Sequence, residues 1–115
     1  MVGIVVVSHS ARLAEGVVEL AREMGGKEVA IEAAGGMDDG AIGTDPGRVM
    51  EAIGKAAAGD GVLVLMDLGS ALMSAEMAVE MLESDDDRVL LAGAPLVEGA
   101  VAAAAAARTG ADLDA

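Results

Sequence analysis

The chain has 115 residues, twenty Asp and Glu against seven Lys and Arg, a formal charge of −13, and neither aromatic residues nor cysteine. That balance excludes a nucleic-acid binder, which needs a basic footprint and rings to stack on bases; without cysteine there is no disulfide framework and no thiolate chemistry. No apolar run approaches the roughly 20 residues of a membrane span, and no basic leader with an apolar stretch and cleavage site is visible, so the expectation is one cytoplasmic domain over residues 1–115 that contacts neither membrane nor nucleic acid. Its core must be built from Val, Leu, Ile, Ala and the eight Met residues, the last serving as flexible gap-fillers.

Val2 to Val7 is an uncharged run rich in Val and Ile, followed at once by Ser8, His9 and Ser10. A strand apolar on both faces is a central parallel strand covered by helices. From Ala11 a helical pattern begins, with Leu13, Val17, Leu20, Ala21 and Met24 as its expected buried stripe and Gly25-Gly26 as its stop. Glu28 to Ala33 alternates and is expected as a short strand near the sheet edge. A glycine-rich connection from Gly35 to Gly43 carries Asp38 and Asp39; Thr44 or Asp45 then caps a helix with Pro46 at its first position and Val49, Met50, Ile53 and Ala57 as its stripe.

Gly61 to Met66 is the second continuous apolar strand, and Asp67-Leu68-Gly69-Ser70 follows it. The next helix, expected from about Ala71 to Leu82, has little polar face, so it either packs tightly or meets another subunit. Glu83 to Asp87 forms an acidic loop whose spacing lacks any calcium-loop pattern. A fourth strand lies between Arg88 and Gly93, Glu98 is a solvated carboxylate at a helix start, and an alanine-rich helix runs from about Ala100 to Ala107 before a short tail.

The alternation of strand and helix implies an α/β fold: a single doubly wound open sheet of four parallel strands with helices on both faces. Placing the two fully apolar strands side by side at the centre yields the order 2-1-3-4. The switch point then falls between the turns after strands one and three, where such sheets place their ligands. His9 and Asp67 occupy those two turns.

A neutral imidazole is a nucleophile on one nitrogen while the other holds the proton, and a carboxylate accepting that second N–H fixes the tautomer. Asp67 is placed to do this for His9. Ser10 and Ser70 open helices whose backbone N–H groups should face the crevice and receive an anion. The set points to a histidine that accepts a phosphoryl group. Plainer roles compete: His9 as a helix cap, Asp67 as an N-cap, Thr44-Asp45-Pro46 as a capped helix start. The coincidence of His9 and Asp67 at one switch point favours the functional role.

Other chemistries fail on the residues. There is no G-x-x-x-x-G-K-[ST] for a nucleotide phosphate loop and no G-x-G-x-x-G after strand one. One histidine without cysteine makes no zinc set. A histidine phosphatase would carry Arg where Ser8 stands, and a receiver domain would need paired acids after strand one.

V-V-S-H-S at Val6 to Ser10, I-G-T-D at Ile42 to Asp45, M-D-L-G-S-A at Met66 to Ala71, S-A-E at Ser74 to Glu76 and A-P-L-V-E-G at Ala94 to Gly99 resemble the DhaM family, the phosphoryl-donor subunits of phosphotransferase-system-dependent dihydroxyacetone kinases. Their domain is similar to the mannose-type enzyme IIA. The resemblance covers nearly the whole chain, and five blocks in order make it specific. It implies phosphorylation of His9 by HPr, orientation of His9 by Asp67, and transfer to ADP bound on DhaL, which in turn phosphorylates dihydroxyacetone held by DhaK. No cofactor is expected beyond the phosphoryl group on His9. Gly43, Thr44, Gly69 and Ser70 match family positions at the site rim, and the family implies a homodimer. Some relatives carry HPr-like and enzyme-I-like domains downstream; a chain ending at Ala115 is expected to use separate donors, and its short end after Gly110 bears on the dimer. The rival readings are a mannose-type enzyme IIA feeding a sugar permease, a regulatory module controlled by phospho-His9, and an acidic scaffold in which His9 is only a cap.

Overall fold

A computed structural model describes residues 1–37, 42–57, 60–67, 69–81, 88–93, 95–110 and 113, with only the helical backbone described for 69–71 and 81. Its elements alternate as expected: β1 (Gly3–Ser8), α1 (Ala11–Gly25), β2 (Ile31–Gly35), α2 (Pro46–Ala56), β3 (Val62–Met66), α3 (Gly69–Met81), β4 (Val89–Ala92) and α4 (Leu96–Arg108). The four strands form one parallel sheet in the order β2-β1-β3-β4. The two apolar strands are therefore the inner ones, and every residue of β1 is buried.

Alternation along β1 divides the core in two. Ile4 and Val6 face a layer made by Ala14, Val17, Val18 and Ala21 of α1 and Ala100, Ala104 and Ala107 of α4. Val5 and Val7 face the other layer, made by Val49, Ala52, Ile53 and Ala56 of α2 and Ala75 and Ala78 of α3. Small residues at the helix faces let the helices lie close to a sheet whose own side chains are β-branched, so the core closes without aromatic rings.

Four boundaries or faces differ from the sequence expectation. The second strand lies at Ile31–Gly35 rather than Glu28 to Ala33, because it is set by pairing along β1 from Ile4↔Ile31 to Ser8↔Gly35. Gly35 is needed there: a Cβ at that position would sit 2.8 Å from both Ser10 O and Ala11 Cα, so its absence lets the start of α1 press against β2. In α1 the buried stripe is Ala14, Val17, Val18, Ala21 and Gly25, while Leu13, Leu20 and Met24 are exposed at 43%, 48% and 46%. Close approach to the sheet selects the small side of the helix, which hydropathy alone ranks lower.

α3 begins at Gly69 instead of about Ala71, and α4 at Leu96 instead of about Ala100. In α2, Asp45 is the N-cap, accepting from the Gly47 N–H at 2.9 Å, with Pro46 at the first position as expected; Met50 and Ala57 are partly buried against its core. Glu98 lies exposed in the first turn of α4. The expected acidic loop from Glu83 to Asp87, Asp38 and Asp39, and the tail residues Asp112, Asp114 and Ala115 lie outside the described residues.

Candidate functional site

The site is built by register. Val7 of β1 pairs with Met66 of β3, so the next step along each strand brings Ser8 beside Asp67. The Asp67 N–H continues the ladder by donating to Val7 O at 3.2 Å. Asp67 is thus held by its backbone before its side chain makes any contact.

Its carboxylate then organises the turn after β1. Oδ2 accepts from the Ser8 hydroxyl at 2.8 Å and from the His9 backbone N–H at 3.1 Å. Oδ1 lies 3.0 Å from His9 Nδ1. The His9 and Asp67 side chains are 17% and 14% exposed, recessed but open to an approaching group. An ionised carboxylate only accepts hydrogen bonds, so in the neutral imidazole the proton sits on Nδ1 and the lone pair on Nε2.

The main chain of His9 is fixed from both sides. Its N–H goes to Asp67, and its C=O accepts from the Gly43 N–H at 2.8 Å. Gly43 has φ +152°, a conformation other residues rarely adopt, and its free Cα side takes Met37, whose Cγ would lie 3.0 Å from a Cβ. Thr44 Oγ1 and Ser74 Oγ share a 2.5 Å hydrogen bond that ties this loop to α3.

Of the residues expected from sequence, His9 and Asp67 are in direct contact, Gly43 meets the His9 main chain, and Thr44 follows Gly43 in the loop and bonds Ser74. Ser10 has a different place from the one expected. Its hydroxyl accepts from the Leu13 N–H at 3.2 Å, capping α1, and its own N–H donates to Ser8 Oγ at 3.0 Å. Both groups are engaged within the protein, so the Ser10 N–H is not turned to the crevice. Gly69 and Ser70 form the first residues of α3; their side-chain surroundings lie outside the described residues. Among the described residues no three His, Cys, Asp or Glu side chains come together as a metal site.

Sequence reasoning missed Ser8 and Ser74. Ser8 is fully buried at the end of a central apolar strand, and a buried hydroxyl must find partners; that was the available signal. Nothing in the periodicity around Ser74 marks its partner, which comes from a different loop.

Around the recess the protein exposes apolar side chains: Leu13 in the first turn of α1, Met37 after β2, and Ile42, which is 81% exposed. On the outer side of α3, Leu72, Met73 and Met77 are exposed too. No helix among the described residues is long and apolar enough to cross a membrane.

The EIIA-man family model, described as the PTS system fructose IIA component, matches residues 3–115. The PEP-dependent dihydroxyacetone kinase phosphoryl donor subunit DhaM of Escherichia coli (strain K12) is 53% identical over 118 residues, covering 99% of this chain but 25% of that protein. The chain thus spans about a quarter of the length of such relatives. The PTS-dependent dihydroxyacetone kinase phosphotransferase subunit DhaM of Lactococcus lactis subsp. lactis (strain IL1403) is 42% identical over 113 residues, covering 98% of this chain and 88% of that protein. The crystal structure of a protein of unknown function, EF1359, superposes with a TM-score of 0.83 at 37% identity, covering 99% of this chain and 89% of that one. The chain belongs to the EIIA-man family of the phosphotransferase system and, by its likeness to the Lactococcus relative over most of that protein's length, to the DhaM family within it.

Proposed function

We propose that this domain is a phosphohistidine carrier: His9 takes a phosphoryl group from HPr and passes it to ADP bound on DhaL, which then phosphorylates dihydroxyacetone on DhaK. The observation that supports this reading is the 3.0 Å contact between His9 Nδ1 and Asp67 Oδ1, which favours a proton on Nδ1 and a nucleophilic lone pair on Nε2. In the first transfer that lone pair attacks the phosphorus of the donor phosphohistidine. The new P–Nε2 bond forms as the donor P–N bond breaks, and the imidazolium charge is balanced by Asp67. In the second, a β-phosphate oxygen of ADP attacks the same phosphorus and the P–Nε2 bond breaks, returning His9 to neutral.

Little covalent chemistry remains for the protein beyond holding the nucleophile, so positioning dominates. An open recess with Leu13, Met37 and Ile42 exposed beside it suits partners that are themselves proteins, since apolar side chains left in water near a site mark docking surfaces. The family likeness supports a homodimer as part of this proposal, with the exposed Leu72, Met73 and Met77 of α3 as the apolar surface a second copy would cover; sedimentation of the wild type against Met73→Glu tests it, and an unchanged dimer would place the contact elsewhere.

The deciding experiment is intact mass after incubation with phosphoenolpyruvate, enzyme I and HPr, followed by addition of DhaL–ADP. One acid-labile phosphoryl group that appears on wild type, is absent from His9→Ala, and leaves on adding DhaL–ADP is the expected result. No uptake by folded wild type would end the carrier proposal. Uptake with no transfer to DhaL–ADP would instead favour a mannose-type enzyme IIA serving a permease, or a regulatory module.

A further inference from the structure

The Ser8 side chain links the start of α1 to the carboxylate beside His9. Its hydroxyl is fully buried, so water cannot substitute for either partner. The Ser10 N–H donates to Ser8 Oγ at 3.0 Å, and that geometry uses the oxygen as acceptor. A serine hydroxyl has one proton to donate, and the atom in position to accept it is Asp67 Oδ2 at 2.8 Å. The chain of hydrogen bonds therefore runs in one direction, from the start of α1 through Ser8 to the carboxylate.

We propose that Ser8 is a positioning residue for His9, fixing the plane of the Asp67 carboxylate against the imidazole and so holding the ring in the Nδ1–H form. The inference rests on the phosphocarrier function proposed above only for its kinetic consequence; the orientation of the ring is independent of it. With one carboxylate oxygen receiving two donors, the Ser8 hydroxyl and the His9 N–H, the plane of the carboxylate cannot tilt without weakening both. Oδ1 is then left aimed at Nδ1. Without the Ser8 proton, the carboxylate loses one of the donors that fix its plane and gains freedom to turn. The ring then loses its fixed acceptor, and the Nε2–H tautomer, which has no lone pair at the nucleophilic position, becomes populated.

His9 is the only histidine in the chain, so imidazole signals in a nitrogen-15 spectrum report this site alone. The test compares wild type with Ser8→Ala and Ser8→Cys, the second filling nearly the same space with a much weaker donor. Each folded variant is read by its imidazole nitrogen shifts and by the single-turnover rate of phosphorylation from phospho-HPr. The expectation is a predominant Nδ1–H form in wild type, a mixed tautomer population in both variants, and a rate about tenfold lower, the loss of one hydrogen bond to a charged group. In the Asp67→Asn background Ser8→Ala should have little further effect on rate, because the two residues act through one contact. A purely structural Ser8 would lower the melting temperature but leave tautomer and rate at wild-type values, and that result in either folded variant overturns the proposal. If wild type takes up no phosphoryl group, the carrier function fails, while the tautomer comparison still decides the role of Ser8.

Discussion

The turn after β1 and the loop after β2 lie side by side at the carboxyl edge of the sheet, yet they are built on opposite rules. In the first, Ser8, His9 and Ser10 turn polar groups inward, and hydrogen bonds to Asp67, Gly43 and the first turn of α1 take them up. In the second, Met37 and Ile42 turn apolar groups outward. Chemistry needs fixed geometry, and hydrogen bonds in a recessed place supply it. Docking needs area that can be desolvated, and exposed apolar side chains supply that. The Gly43 N–H to His9 O contact is the joint between the two.

The difference can be broken first at the chemical end. His9→Ala should remove phosphoryl uptake entirely while leaving the circular dichroism spectrum unchanged, since the side chain belongs to neither core layer. Asp67→Asn should leave the fold in place and lower the phosphorylation rate by about 10²- to 10⁴-fold, because an amide can present N–H to the ring and select the wrong tautomer; a rate within threefold of wild type would show that Asp67 does not orient His9.

The docking side predicts a smaller and different loss. Ile42→Ala removes a side chain that is 81% exposed, so stability should shift by less than about 0.5 kcal/mol. The KM for phospho-HPr should rise by about fivefold with kcat unchanged, the effect of a peripheral apolar contact. A fall in kcat instead would mean that the loop acts on His9 through Gly43, and the two regions would no longer be separable.

The smallest effect belongs to Ser10. Ser10→Ala should lower stability by about 1 kcal/mol through loss of the N-cap, a melting shift of about 5 °C, with uptake close to wild type. Loss of uptake in a folded Ser10→Ala protein would restore the phosphoryl-binding role that its hydrogen bonds argue against.

Much of this was legible before any coordinates. The two uninterrupted apolar runs marked β1 and β3 as the inner pair, the Asp45-Pro46 dipeptide marked the start of α2, and the alternation of elements carried the strand order. Local periodicity could not place β2, whose bounds follow from pairing with β1, nor choose the buried face of α1, where contact distance to the sheet outweighed hydropathy. Ser8 was visible as a polar residue ending an apolar strand, but its partner was not, because the partner belongs to another strand.

By itself the sequence determined that one histidine and one aspartate would close adjacent turns of a doubly wound sheet, since the order of apolar runs, caps and glycines leaves that topology as the consistent one. Only the tertiary structure decided what their neighbourhood does. The pairing of Val7 with Met66 puts Ser8 beside Asp67, and a slip of β3 by one residue against β1 would have turned Asp67 to the other face. From that single register follow the contacts of the Asp67 carboxylate with the Ser8 hydroxyl and with His9 Nδ1.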